Sequence, residues 1–303
     1  MFKGVTIKEF RNRFQTNDDC MLYLVEQKWK CGYKCRKCGH DRYTKGRQWF
    51  YKRCVACKYD ESATANTVFH GSKLKLLSIF EIAFRVSVRK KGMSSCELAK
   101  EIGCQQKTAW AIKAKLQQAM ASSEQFELKG DVEVDEFIVG GFEAAAPGRT
   151  HGQKSLVVLA LERRVDENGR ETMGRAYARK IDSASANALK AIFDKHISTD
   201  AKVKTDGWRG YAPLKAEWQI KQELSAKGAN FKDLHIHIMN LKNWLRGIHH
   251  KCSSQRLQHY LNEFHFRFNR RAFMNSIWEK LIQRAMVTPP FPYARLGSCE
   301  CST

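Results

Sequence analysis

The chain is short of acid and lacks any long apolar run. Asp and Glu number 31 against 53 Lys and Arg, a formal net charge of +22 over 303 residues. No apolar stretch is long enough to cross a bilayer, and neither a basic amphipathic tail nor a lipidation motif is present. Neither a spanning nor a lipid-anchored protein is expected, nor a membrane partner; an acidic membrane surface is the rival explanation for the charge. Residues 1–15 carry charges throughout and have no apolar signal core, so a cytoplasmic protein is expected. Internal repeats and low-complexity tracts are absent. What is there is a folding composition, 43% hydrophobic and 11% aromatic. So basic a monomer repels itself until an anion binds it. Nucleic acid is the usual partner, because neutralised phosphates release counterions and supply affinity for any sequence.

The chain has 11 cysteines, which in an oxidising compartment would suggest disulfides. In a reducing one, with four of them in two Cys-x-x-Cys pairs, metal is the better reading. Cys35-Arg36-Lys37-Cys38 and Cys54-Val55-Ala56-Cys57 can aim four thiolates at one tetrahedral zinc ion. The segment between them has the composition of a hairpin and is crowded with Lys and Arg. Cys31 precedes the first pair with less regular spacing and competes as a ligand. A module this small cannot bury enough apolar surface without metal, so the zinc is structural.

Five stretches follow from composition and period: a helical lead-in over 1–28, the ribbon over 29–68, a helical module over 69–123, an α/β domain over 128–275, and a tail over 276–303. In the helical module, Ser94 or Ser95 can cap a first helix, and Gly103 suits the turn that ends it. A second helix then opens on Gln105, Gln106, Lys107 and Thr108, with Ala109, Ile112 and Leu116 on its buried side. That pattern predicts a helix-turn-helix whose opening residues face base edges; an ordinary helical hairpin is the plainer alternative.

From residue 130 the period shortens. Strands are expected near Val132–Val134, over 155–162, 175–181 and 202–205, with a helix over 183–196 and two more over 233–250 and 254–271. Asp135 is expected at the end of the first strand and Asp206 at the end of the fourth. If those strands are parallel neighbours, both carboxylates reach one crevice beyond the strand ends. Hard divalent cations for phosphoryl transfer need such converging oxygens. Each Asp alone would read as a turn or cap residue; the pair reads as a metal site.

The zinc ribbon, VDEFIVGG, TDGWRGYAPL and NLKNWLRGIHH followed by HYLNEFHFRFNRR together resemble bacterial insertion-sequence transposases with an N-terminal zinc ribbon, over roughly residues 20–275. The resemblance implies an RNase H-like mixed sheet with helices and an aspartate-aspartate-glutamate type of active site. It implies Mg2+ or Mn2+ as catalytic cofactor, cleavage of double-stranded DNA at transposon ends, and strand transfer to a target. It further implies binding of terminal inverted repeats, a homo-oligomer in the synaptic complex, and association with the nucleoid. Asp135 and Asp206 match the family's first two acids. No Glu stands at the third position. His235 and Asn240 are the candidates, with Lys242 on His235's face, about two helical turns on, to steady a phosphate. Glu263 is a rival third acid, expected on the outer side of its helix. Arg267, Asn269, Arg270 and Arg271, with His249, His250 and Lys251, are expected along the phosphate backbone. Cys299 and Cys301 have no assigned role. Two alternatives remain: a weak or inactive transposase-derived DNA-binding protein, and an RNase H-like nuclease acting on other substrates.

Overall fold

The computed structural model describes residues 2–140, 154–249 and 252–291. Gly141, His250, Lys251, Cys299 and Cys301 lie outside them. The chain divides into two units, Met1–Met120 with Phe273–Ser298, and a second built on Ala121–Ala272.

The first unit begins with two short helices, α1 (Ile7–Arg13) and α2 (Asn17–Lys28), each opened by a Thr capping box. The ribbon follows as a three-stranded antiparallel sheet of β1 (Tyr43–Lys45), β2 (Tyr51–Cys54) and β3 (Asp60–Ser62). Lys28, at the end of α2, ties it down: its ammonium pairs with the buried Glu61 at 2.9 Å and donates to the carbonyls of Ser62 and Ala65. Then come α3 (Leu76–Val88), α4 (Ser95–Ile102) and α5 (Gln106–Ala119). Ser94 caps α4 in a box with Glu97, and Gly103 ends it at φ 72°, a left-handed conformation that favours glycine. Ala109, Ile112 and Leu116 are buried as their spacing predicts.

One segment departs from expectation. The stretch read as a tail contains α9 (Ile277–Val287), which packs into this first unit. Trp278 lies at the centre of an aromatic cluster, with ring centroids 5.1–5.9 Å from Phe2, Phe10, Phe14, Tyr23 and Phe80. Aromatic rings bury large apolar surfaces, so this cluster anchors the packing of the unit.

The second unit is built on a five-stranded mixed sheet, the RNase H-like arrangement. β4 (Asp131–Val139), β5 (Ser155–Val165) and β6 (Glu171–Ile181) form an antiparallel meander. α6 (Ala186–His196) crosses over to β7 (Lys202–Thr205), which runs parallel to β4. β8 (Gln219–Gln222), parallel to β7, was not expected from the sequence. Its QIKQ pattern has one apolar residue and reads as loop, yet pairing makes it an edge strand. α7 (Lys232–Ile248) and α8 (Ser254–Phe268) cover the face opposite α6. Strand alternation sorts the two cores: Val132, Val134, Val158 and Ala160 face α6, whereas Phe137, Val157, Leu159 and Leu161 face α7 and α8. The open edge of β6 is closed by amide side chains of α8 and the residue after it. Gln258 bonds Lys180 N–H and Ala178 O, and Asn269 bonds both backbone groups of Ala176.

Candidate functional site

The four ribbon sulfurs converge. Cys35 and Cys57 Sγ are 3.6 Å apart, Cys38 and Cys54 Sγ 3.5 Å, and all four lie within 4.8 Å of one another. Zinc–sulfur bonds of about 2.3 Å in a tetrahedron place sulfurs about 3.8 Å apart, so the set fits one zinc ion. Four such thiols cannot all ionise without a cation. Against the cost of desolvation, the backbone N–H groups of Cys38 and Lys37 hold the Cys35 thiol down at about 6. Cys38, despite a backbone bond at His40 that favours its thiolate, is pushed up to about 12 by Cys57, burial and its other neighbours. The apolar interior of this module is little more than Tyr33 and two of the ligands themselves. Cys31 is exposed and stands outside the cluster.

The second site forms where β7 stops. Val134 opposite Thr205 is the last pair of the parallel ladder, and Asp135 and Asp206 are the next residue on each strand. Asp135 is thus mid-strand on β4 rather than at its end, and gains its position at a strand end from its neighbour. Past Asp206 the chain turns tightly: Asp206 Oδ1 accepts from Trp208 N–H at 3.0 Å, and Gln222 on β8 donates to the carbonyls of both Asp206 and Trp208. Gly210 completes the turn, since a Cβ there would come within 2.5 Å of Ala184 O. The unexpected edge strand β8 therefore braces the loop that carries the second Asp.

Asp135, Glu136 and Asp206 can each present an oxygen within 4.8 Å of the others. Glu136 is a residue the sequence reading missed. Strand alternation sends it to the face opposite Asp135, where the buried Tyr211 hydroxyl donates to its Oε2 at 2.8 Å. Burial first, and then the charge of Asp206, push the Asp135 carboxyl up; its bond with His235 acts the other way. Three carboxylates converging this closely could hold a cation.

α7 supplies the other wall. His235 Nε2 lies 3.2 Å from Asp135 Oδ2. The start of the helix is clamped to β5 by Arg163, whose guanidinium pairs with Asp233 at 2.6 Å and with Glu133 at 3.7 Å. Asp135, Phe137, His235, Ile238, Met239, Lys242, Asn243 and Arg246 line a cleft of about 380 Å³. The α7 members repeat at three and four, one face of the helix. Asn240 falls off that face and is exposed, outside the cleft lining.

Residues 127–269 match the family model of the ISXO2-like transposase domain. The second unit carries a transposase domain. No curated protein matches the chain.

Several expected contacts have other roles in this transposase domain. Glu263 is fully buried, not on the outer side of α8, and its Oε1 pairs with Arg267 at 2.6 Å. It cannot serve as the third acid. Arg267 is itself buried, with its guanidinium 5.1 Å from the Trp244 ring, so it is a core residue rather than a phosphate contact. Arg271 donates to the carbonyls of Gly174, Phe268 and Met173, and Arg270 to that of Phe266. Both bind the chain's own backbone. His249 stacks on Tyr260. In the first unit, Gln105, Gln106 and Lys107 are exposed and Thr108 half-buried at the start of α5, with the Gln106 amide bonded to Ser95 Oγ.

Proposed function

We propose that the protein is an insertion-sequence transposase that binds terminal inverted repeats in double-stranded DNA, cuts at the transposon ends and joins the freed 3′ hydroxyl to a target. The observation that carries this is the meeting of Asp135 and Asp206 at the end of the parallel β4–β7 pair, inside a transposase domain. The donor set is oxygen-rich, as Mg2+ or Mn2+ requires. Divalent ions bound there would supply Lewis-acid polarisation of the scissile phosphodiester and of the attacking water or 3′ hydroxyl. Asp135 and Asp206 hold the ions, with Glu136 as a third oxygen ligand from the same strand. His235 takes the third position on α7 in preference to Asn240, because only His235 reaches Asp135. Lys242 steadies a phosphate in the cleft. The helix pair α4–α5 acts as a helix-turn-helix, with Gln105, Gln106, Lys107 and Thr108 on the DNA, and the ribbon's zinc is structural.

A second reading has one observation in its favour: imidazole is a weaker magnesium ligand than a carboxylate, so this copy would be a weak or inactive transposase that only binds DNA. A nicking assay on a duplex carrying the element's end separates the two. Wild type nicks with Mg2+ or Mn2+, whereas Asp135→Ala or Asp206→Ala binds the same DNA and loses about 10³-fold or more of the rate. Normal nicking by either variant refutes the proposal.

A further inference from the structure

The cleft runs past the carboxylates along α7, and its far part is positively charged. Lys242 and Arg246 are one helical turn apart, with an axial rise of about 6 Å between them. Among the described residues neither forms an ion pair. Lys242 is half-buried, its ammonium 5.3 Å from the Phe137 ring centroid. Burial, and then the charge of Arg246, push that ammonium down; Asp135 opposes them. A half-buried cation beside an exposed one costs energy unless an anion joins them. Asn243, also in the lining, adds an uncharged donor beside the pair. Met239, 52% exposed between His235 and Asn243, offers an apolar surface.

A single scissile phosphate at Asp135 and Asp206 does not account for this second cluster. A DNA strand entering the cleft carries its next phosphates along α7, and Arg246 has the planar fork that grips non-bridging phosphate oxygens in pairs. We propose that Lys242, Asn243 and Arg246 form a second phosphate subsite, which holds a phosphodiester neighbouring the scissile one and so sets the strand's register over the carboxylates. The inference rests on the transposase reading above and adds a specific ligand, a DNA backbone phosphate, to residues outside the metal site.

The test is a chemical double-mutant cycle. Duplexes of the element's end are made with one uncharged methylphosphonate at each phosphate flanking the nick. Their affinities for wild type and Arg246→Met are measured without divalent metal, so the DNA stays intact. Arg246 is exposed, and equal melting temperatures confirm that the variant folds. At one phosphate other than the scissile one, neutralisation should weaken wild type about tenfold, the scale of a charge-assisted hydrogen bond. The same substitution should leave Arg246→Met within about twofold. Losses that multiply at every phosphate overturn the subsite. If wild type nicks DNA while the losses multiply, only the subsite falls; if wild type fails to nick with Mg2+ or Mn2+, the reading beneath it falls too.

Discussion

The ribbon gathers its ligands from one short stretch, Cys35 to Cys57, on two turns of a small sheet. The transposase domain gathers Asp135, Glu136, Asp206 and His235 from two strands and a helix. The difference goes beyond sequence distance. The ribbon's buried apolar cluster is Tyr33 with two ligand cysteines, against which only Trp29, Cys57 and Tyr59 pack half-buried, so folding and the binding of a metal would be one event. The transposase domain has a packed apolar layer on each face of its sheet, so its carboxylates are brought together by a fold that exists without the ion. A metal would be a staple in the first case and a guest in the second.

The largest effect that can break this contrast is loss of a thiolate. Cys54→Ser, or strong chelation, should unfold the ribbon, since structural zinc contributes about 10–16 kcal/mol in small modules. Residues 29–68 should become protease-sensitive while hydrogen exchange in β4, β5 and β7 stays slow. Intact protection of the ribbon without zinc would erase the distinction.

A smaller effect should mark the transposase domain through acid. His265 Nδ1 donates to Leu261 O at 2.8 Å, so its Nε2 accepts from His237 Nε2–H at 3.2 Å, and both rings are buried neutral. Burial holds His265 at about 4 and His237 well below the ordinary imidazole range; His196 and His259 are likewise held at about 4. Because the unfolded chain takes up protons near pH 6.5 and the folded one does not, stability is full above that value. It should fall as pH drops from about 6.5 toward 4. Denaturant midpoints followed by β6 and α8 exchange should show this slope, and His265→Gln should flatten it whatever its stability at pH 7. A pH-independent midpoint would mean that these rings take up protons in the fold as readily as in the unfolded chain.

The smallest effect concerns the helix pair of the first unit. Lys107→Ala should weaken binding to end sequences and to unrelated duplex nearly alike, and lower the slope of log K against log salt by about one. An unchanged slope would remove Lys107 from the phosphate contacts.

The legibility of the two regions follows the same contrast. Four cysteines at fixed spacing state a ligand set locally. The two aspartates became a site in the sequence only through the expectation that β4 and β7 are parallel neighbours, which they are. Glu136 escaped because alternation sends adjacent strand residues to opposite faces. The exception arises where β7 ends and its turn reaches both faces of β4, and the signal available was an Asp-Glu pair on a strand expected beside a shorter one. The polar residues of α8 misled for a different reason. Helical period assigns charge to solvent, but Glu263 and Arg267, one turn apart, neutralise each other and enter the core beside Trp244. β8 was invisible because an edge strand braced by its neighbour needs little apolar surface of its own.

The position of Trp278 has a consequence for how the protein is made. During synthesis the ribbon and the α4–α5 pair emerge from the ribosome first, yet the aromatic centre of their unit lacks its middle ring until α9 has followed. By then every strand of the transposase domain has been translated. A nascent chain that stalls anywhere between them presents an incomplete first unit with Phe10, Phe14 and Phe80 uncovered, so chaperones and proteases have the whole of elongation in which to act on it.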